Sequence, residues 1–373
     1  MPKDTKEEIN NLERVVELLN KKYGPCAYKG GEMFVDPPRL PSGIFVVDYI
    51  TGGGFPINQF SVIRGPEHGG KTSLALSAMR MVSRICWRCF RLLEECECSL
   101  PSSRMKSVWA DVEGTFNRAW AEAIGNNSED YWVERAENGN MFGEILDYAL
   151  RADDCGLVVL DSIGALTPGD EMDTSLDGAV VATQARLVSR IARKLRQRLI
   201  IEGRRGHPCL VIFINQIRTN IGVMFGNPET SPGGHQIKHE SALTLRISKR
   251  STEDRYKDKE HDRYMAQRHF VSLEKYKNLR LMDSGEFIRA TENNQTLGLV
   301  KGRVVDQAAL VKYAFESGII TEVMEKDKRK LKYKGNTYGE RGLIFFLRQN
   351  EQEYLSLSYE VIAKAKKDIL KSH

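Results

Sequence analysis

Nowhere in this 373-residue chain does an apolar run approach the roughly 20 positions that a membrane-spanning helix needs. The amino-terminal stretch MPKDTKEEINNLERVVELLN carries acidic residues throughout and no small-residue cleavage site, so it does not read as a secretory leader. Ile9, Leu12, Val16 and Leu19 recur there at helical spacing and predict an amphipathic helix. These absences predict a soluble, cytoplasmic protein with no membrane partner. Internal repeats and low-complexity tracts are also missing, which leaves neither a repeat array nor a disordered linker to consider. A large excess of one charge is absent: the formal net charge is only +5, so the chain is not a polycation, and any nucleic-acid site must come from local basic clusters. Seven cysteines are an odd number. Four of them crowd between Cys86 and Cys98, which argues against a disulfide framework and for a reducing compartment with a metal or thiol site. Cys26, Cys155 and Cys209 read as small core residues.

Hydrophobic residues at 41% are ample for one large domain with smaller attachments. Gly65, Pro66, Glu67, His68, Gly69, Gly70, Lys71 and Thr72 spell a complete G-x-x-x-x-G-K-T phosphate loop. It lies between a strand-like run, Phe60 to Ile63, and a helix-like one opened by Ser73. Glycines let backbone N–H groups turn inward on phosphates, the helix terminus adds partial positive charge, Lys71 reaches the β- and γ-phosphates, and the Thr72 hydroxyl suits Mg²⁺. Nucleoside triphosphate binding is the first expectation. Apolar runs over Ser61 to Arg64, Ser107 to Asp111, Leu157 to Asp161 and Leu210 to Asn215 read as buried parallel strands, predicting an α/β sheet with helices on both faces. Asp161 then ends its strand where ligands of such sheets collect, and is expected in the Mg²⁺ shell.

A helix is expected from Ala182 to Ile200, docking through Leu187, Ile191 and Leu195 and turning arginines from Arg186 to Arg205 away from the sheet. Lys364, Lys366, Lys367 and Lys371 form a second basic cluster. Residues 83–106 read as an insertion. Within it Cys86-x-x-Cys89 and Cys96-x-Cys98 supply four thiolates, predicting structural Zn²⁺; an oxidisable thiol cluster and incidental cysteines are the alternatives. Lys249 to Arg268 reads as an exposed excursion.

The segment F-I-N-Q-I-R-T-N-I-G-V-M-F-G-N-P-E-T-S-P-G-G, from Phe213 to Gly234, resembles the second DNA-binding loop of the RecA recombinases. The likeness extends to Leu40 to Gly43, Thr51 to Pro56, the phosphate loop, V-L-D-S-I-G-A-L-T-P at 159–168, and K-Y-K-G-N-T-Y-G at 332–339 with the helix from Leu343 to Asn350. It implies an amino-terminal oligomerisation segment over 1–40, a RecA-type P-loop ATPase core with a mostly parallel sheet over 41–285, and a small α/β DNA-binding domain over 286–373.

By the same resemblance Glu113 polarises the attacking water, Trp120 stacks on adenine, and Gln216 senses the γ-phosphate. Lys275 and Lys277 reach a neighbour's phosphates across a filament interface. Single-stranded DNA is held by Arg186, Arg193, Arg218, Asn220, Ile221, Gly222, Val223, Met224, Phe225, Gly226, Gly233 and Gly234, without base readout. The chain departs from the family at His239, where an interface aromatic is expected, near Thr291, where the adenine pocket has a tyrosine, and in its basic rather than acidic end. The expected activity is ATP- and Mg²⁺-dependent, DNA-stimulated: a helical homo-oligomer on single-stranded DNA that pairs it with homologous duplex and exchanges strands, with single-strand-binding and loader proteins as further partners. The alternatives are a non-catalytic recombinase paralogue or mediator and a RecA-fold hexameric helicase.

Overall fold

A computed structural model describes residues 12–30, 36–99, 104–169, 181–219, 229–230, 237, 239–325 and 328–371. Eight strands form the central sheet: β1 (Phe60–Gly65), β2 (Lys106–Asp111), β3 (Tyr131–Glu134), β4 (Cys155–Asp161), β5 (Leu210–Gln216), β6 (Leu243–Arg250), β7 (Ala266–Tyr276) and β8 (Ser284–Ala290). Their spatial order is β8-β7-β6-β1-β5-β4-β2-β3. The run from β6 to β3 is parallel, whereas β7 and β8 add antiparallel to its edge.

Alternation along the strands divides the core. Ile63, Leu157, Val159, Ile212 and Ile214 face one layer, while Phe60, Val62, Val158, Leu160, Val211 and Phe213 face the other. Both faces are apolar because helices cover both, as parallel crossovers require. Helix α3 (Lys71–Val82) packs on the first face, after α1 (Leu12–Tyr23) and α2 (Phe45–Thr51) and before α4 (Arg118–Ile124). Helices α5 (Gly139–Ala149) and α6 (Val181–Arg204) contribute Phe142, Leu146, Leu187, Ile191 and Leu195 to the second. The amphipathic amino-terminal helix is present as α1, but it buries none of its residues, and Leu12 and Tyr23 stand exposed. No helix among the described residues is long and apolar enough to cross a membrane.

The carboxyl-terminal region comprises α7 (Gln307–Glu316), an antiparallel sheet of β9 (Thr321–Glu325), β10 (Lys328–Tyr333) and β11 (Asn336–Tyr338), then α8 (Glu340–Gln349) and α9 (Glu351–Lys371). It is joined to the central-sheet layer through buried polar groups. Helix α2 begins without a side-chain cap, so its first amides need partners. Phe45 N–H donates to Tyr354 Oη at 2.8 Å, and Val46 N–H to Asp306 Oδ2 at 3.2 Å. Tyr354 in turn donates to Asp306 Oδ1 at 2.7 Å. Burial pushes the Asp306 carboxyl up to about 6 despite these donors. A second link gathers Arg80 of α3, Arg84 and Arg303 on Glu351, the first residue of α9, with the Arg84 pair at 3.0 Å.

Two expectations change. Strand β8 runs across the 285/286 boundary, because its residues pair with β7 from Ala266↔Ala290 to Ser272↔Ser284; the core sheet therefore extends to Ala290. The excursion before β7 is largely exposed, but it holds a short ribbon, Lys257–Asp258 with Arg263–Tyr264. Tyr256 anchors it by packing with Ala266, Ile288, Ala290 and Leu299.

Candidate active site

Strand β1 delivers the phosphate loop to the carboxyl edge of the sheet. A Cβ at Gly65 would lie 2.0 Å from the Ile247 carbonyl oxygen, so only glycine lets the loop leave β1 this close to β6. Gly70 has φ +103°, and a Cβ there would meet the His269 ring at 2.7 Å. His269 is buried in β7, and its Nδ1 lies 2.9 Å from the Gly69 carbonyl oxygen. Burial pushes this imidazole down to about 4, so at neutral pH it is uncharged and Nδ1–H donates to the loop. Helix α3 starts at Lys71, aiming its unpaired first-turn amides into the loop. Lys71 Nζ donates to Pro66 O at 2.8 Å; burial lowers its pKa, and nearby Asp161, Glu113 and Glu67 oppose that. Glu67 and His68 stand exposed at the rim.

Sheet register brings the acids to the same edge: Asp111 pairs with Asp161, and Gly65 with Gln216. Thr72 Oγ1 donates to Asp161 Oδ2 at 2.9 Å. Burial raises the Asp161 carboxyl to about 6, with Glu113 adding to the rise and Thr72 and Lys71 opposing it. A hydroxyl and a carboxylate in contact beside a phosphate loop are hard oxygen donors that fit Mg²⁺. Glu113 sits on the turn after β2. The Asp111 carboxylate fixes that turn by accepting from Thr115 N–H at 2.9 Å and Phe116 N–H at 3.2 Å, and it also accepts from Arg135 Nε at 3.0 Å. Val112 N–H donates to Asp161 O at 2.9 Å, lacing the two strand ends together. Glu113 Oε1 accepts from Gln216 Nε2 at 3.0 Å and from the Ser162 hydroxyl. Trp120 in α4 donates its indole N–H to Ser73 Oγ at 2.9 Å, which sets the ring beside the phosphate-loop helix.

The fold thus gathers Lys71, Thr72, Ser73, Glu113, Trp120, Asp161 and Gln216 in one chain. Lys275 and Lys277 lie elsewhere. Lys277 N–H bonds Ala242 O, and Ala242 N–H bonds Phe60 O, so Lys277 sits at the amino-terminal edge, about 16 Å along β1 from Gly65 at ordinary strand rise; Lys275, level with Thr244 and Val62, is offset by about 10 Å. Lys275 Nζ donates to His239 O at 2.9 Å. Thr291 Oγ1 donates to Tyr264 O at 3.3 Å, which puts a tyrosine from the ribbon next to the substituted position.

Among the DNA-contact expectations, Asn220, Ile221, Gly222, Val223, Met224, Phe225, Gly226, Gly233 and Gly234 lie outside the described residues. Arg218 pairs through its backbone with Thr230 at the base of that loop. Helix α6 confirms the docking face but not a wholly open arginine face. Arg196 pairs with Glu240 at 2.8 Å, Arg198 with Asp147 at 2.8 Å and Arg205 with Glu202 at 2.9 Å. Arg186, Arg190 and Arg193 instead line a cleft of about 340 Å³ with Asn140, Pro168 and Thr183. Lys366, read as part of a basic surface, pairs with Asp36. Cys155 and Cys209 are core residues, whereas Cys26 is half-buried.

Three positioning groups escaped the sequence reading. Ser162 follows Asp161 directly, and a hydroxyl beside a strand-ending acid was the available signal. Asp111 was visible only as part of a strand end. His269 had none, because its contact with Gly69 depends on how β7 folds back along β6.

A family model described as the RecA N-terminal domain matches residues 10–278. Protein RecA of Gloeobacter violaceus is 32% identical over 251 residues, covering 67% of this chain and 62% of that protein. Protein RecA of Deinococcus radiodurans is 32% identical over 251 residues, covering 66% and 63%. A mitochondrial DNA repair protein recA homolog of Dictyostelium discoideum is 34% identical over 245 residues, covering 65% of this chain and 49% of that protein. The matched part of the chain therefore spans less than two thirds of these relatives.

Proposed function

We propose, on the premise that this chain belongs to the RecA family, that it is an ATP- and Mg²⁺-dependent recombinase. In this reading it polymerises on single-stranded DNA, pairs it with homologous duplex and exchanges strands, hydrolysing ATP in a DNA-stimulated way. The observation that carries the reading is the Gln216 to Glu113 hydrogen bond. It joins the strand that leads into the 217–234 loop to the acid that would activate water. Gln216 Nε2 has a phosphate oxygen as the competing acceptor when a triphosphate is bound. Its transfer from Glu113 to that oxygen frees the carboxylate and shifts the base of the loop, which couples nucleotide to DNA in both directions. Mg²⁺, bound by Thr72 and through the Asp161 shell, would neutralise developing phosphate charge. Lys71 binds the β- and γ-phosphates, Glu113 accepts the proton of the attacking water, and the Trp120 ring covers adenine.

Lys275 and Lys277 complete the site from a neighbouring copy, since they lie at the far edge of their own sheet. Arg186 and Arg193 hold DNA phosphates, and helix α1, whose apolar side is uncovered, docks on the adjacent subunit. The carboxyl-terminal region beyond Ala290 assists with duplex DNA, and single-strand-binding and loader proteins act at assembly. Steady-state ATP hydrolysis across protein concentration, with and without single-stranded DNA, tests the reading. Cooperative stimulation by DNA supports it. Tight DNA and ATP binding with no DNA-dependent turnover would replace it with the accessory paralogue, and closed rings in electron micrographs with a helicase.

A further inference from the structure

The segment between α3 and β2 contains no regular structure among its described residues beyond a three-residue 3-10 turn, Leu93–Glu95, yet its start is deeply buried. Cys86, Trp87 and Leu92 have almost no exposure. Trp87 donates its indole N–H to Val82 O at 2.8 Å, and its ring occupies the space beside Gly156 on β4. Residues Ile85 and Leu92 form a bridge. Cys86 N–H then bonds Arg91 O at 2.8 Å, and Phe90 N–H bonds Cys86 O at 2.7 Å. Phe90 holds φ +57°, a left-handed conformation that bulky residues adopt only when their surroundings impose it. A handful of apolar side chains is a small core for such a turn.

The turn presents four sulfurs to one point. Cys86 and Cys98 Sγ are 4.0 Å apart, Cys89 and Cys96 Sγ 3.7 Å apart, and all four lie within 4.8 Å of one another. A tetrahedron with Zn–S bonds of about 2.3 Å has edges of about 3.8 Å. A disulfide needs sulfurs about 2.0 Å apart, and neither pair has that spacing. Cys98 N–H points to Cys96 Sγ at 3.4 Å, the kind of amide donor that supports a metal-bound thiolate.

The carboxyl-terminal helix approaches the segment that carries this cluster. Arg84, just before the first cysteine, pairs with Glu351 at 3.0 Å and accepts Leu93 N–H on its carbonyl at 2.9 Å. Tyr359 of α9 lies within electrostatic reach of Cys89 and Glu95, and its buried hydroxyl has no hydrogen-bond partner among the described residues. We infer that Cys86, Cys89, Cys96 and Cys98 bind one structural Zn²⁺, and that this knuckle is the seat on which α9 is held against the phosphate-loop helix. The metal takes the place of a core, fixing the segment that carries Arg84 to Glu351 and keeps Cys89 within electrostatic reach of Tyr359.

The test uses the full chain, purified reduced. Metal analysis should return one zinc per chain, released by mercurial titration of four thiols, and Co²⁺ exchange should give a tetrahedral thiolate spectrum. Cys89→Ser and Cys96→Ser should each lose the metal, whereas Cys26→Ser, outside the cluster, should keep it. Hydrogen exchange on wild-type protein after chelation covers the case in which those variants fail to fold. Removing zinc should speed exchange in residues 351–371 at least ten-fold, while β1 and β5 keep their protection. Absence of stoichiometric zinc after reconstitution, disulfides in the cluster, or zinc removal that leaves 351–371 unchanged would each overturn the inference. None of these readouts depends on ATP turnover, so they stand or fall apart from the recombinase reading.

Discussion

The nucleotide site and the thiolate knuckle are built in opposite ways. Lys71, Glu113, Asp161 and Gln216 come from four separate strand ends, and parallel register alone makes them neighbours. The four cysteines come from residues 86–98, and local turns suffice to gather them. A site of the first kind inherits its precision from the whole sheet, because moving any strand by one residue displaces one of these side chains. A site of the second kind can be inserted between two elements without disturbing that sheet. The knuckle occupies such a position, between α3 and β2, and the register of β4 against β2 is regular from Ser107 onward.

The largest expected effect attacks the sheet-built site at one atom group. Glu113→Gln should lower DNA-stimulated ATP turnover by ~100-fold or more, the usual span of general-base removal, while fluorescent ATP analogues still bind. Turnover within a few-fold of wild type would remove Glu113 from the chemistry. Next, Glu351→Gln strips three arginines of their shared carboxylate. Breaking a mostly buried pair of this kind should destabilise the full chain by roughly 2–3 kcal/mol in urea unfolding, since Arg80 is nearly inaccessible. A change near zero would mean that the region beside the knuckle has no electrostatic seat. Trp120→Ala should raise the KM for ATP by roughly five- to ten-fold, the scale of one lost ring stack of about 1 kcal/mol, without changing the maximal rate by as much.

The smallest effect is a slope with pH. Asp306 titrates near 6 in the fold against 3.8 in the open chain, so the native state binds more protons between those values. Its stabilising contribution is therefore full below about 3.8 and is lost as pH rises through about 6, with a slope of no more than about 1.4 kcal/mol per pH unit. Asp306→Asn should flatten that part of the thermal-midpoint profile. An unchanged profile would show that the carboxyl is ionised in both states.

Legibility followed the same division. Locally spelled features could be read directly: the phosphate loop, Asp161 closing an apolar strand, and the cysteine spacing. Glu113 and Gln216 have no local signature, and only the family resemblance picked them out. Ser162 and His269 remained invisible because their partners are set by tertiary pairing. Arg80 was unreadable for another reason. An arginine in a helix ordinarily means a solvated face, but α3 is enclosed by α4, the sheet and α9, leaving Arg80 buried next to Glu351. The 285/286 boundary fell inside edge strand β8 because an antiparallel addition to a parallel sheet carries mixed, half-exposed sequence.

The placement of Lys275 and Lys277 at the edge opposite Gly65 has a counting consequence. If each copy lends these cations to the next copy's nucleotide, the contact is head to tail, and it builds an open row wherever the rotation between copies does not close a ring. A row of n subunits then holds n − 1 complete sites and one idle site at a single, defined end. Turnover per subunit rises with row length and levels off, and short rows are poor enzymes whatever the affinity of any one site for ATP. The two ends of the assembly are chemically unlike, so growth and loss of subunits need not occur at the same one.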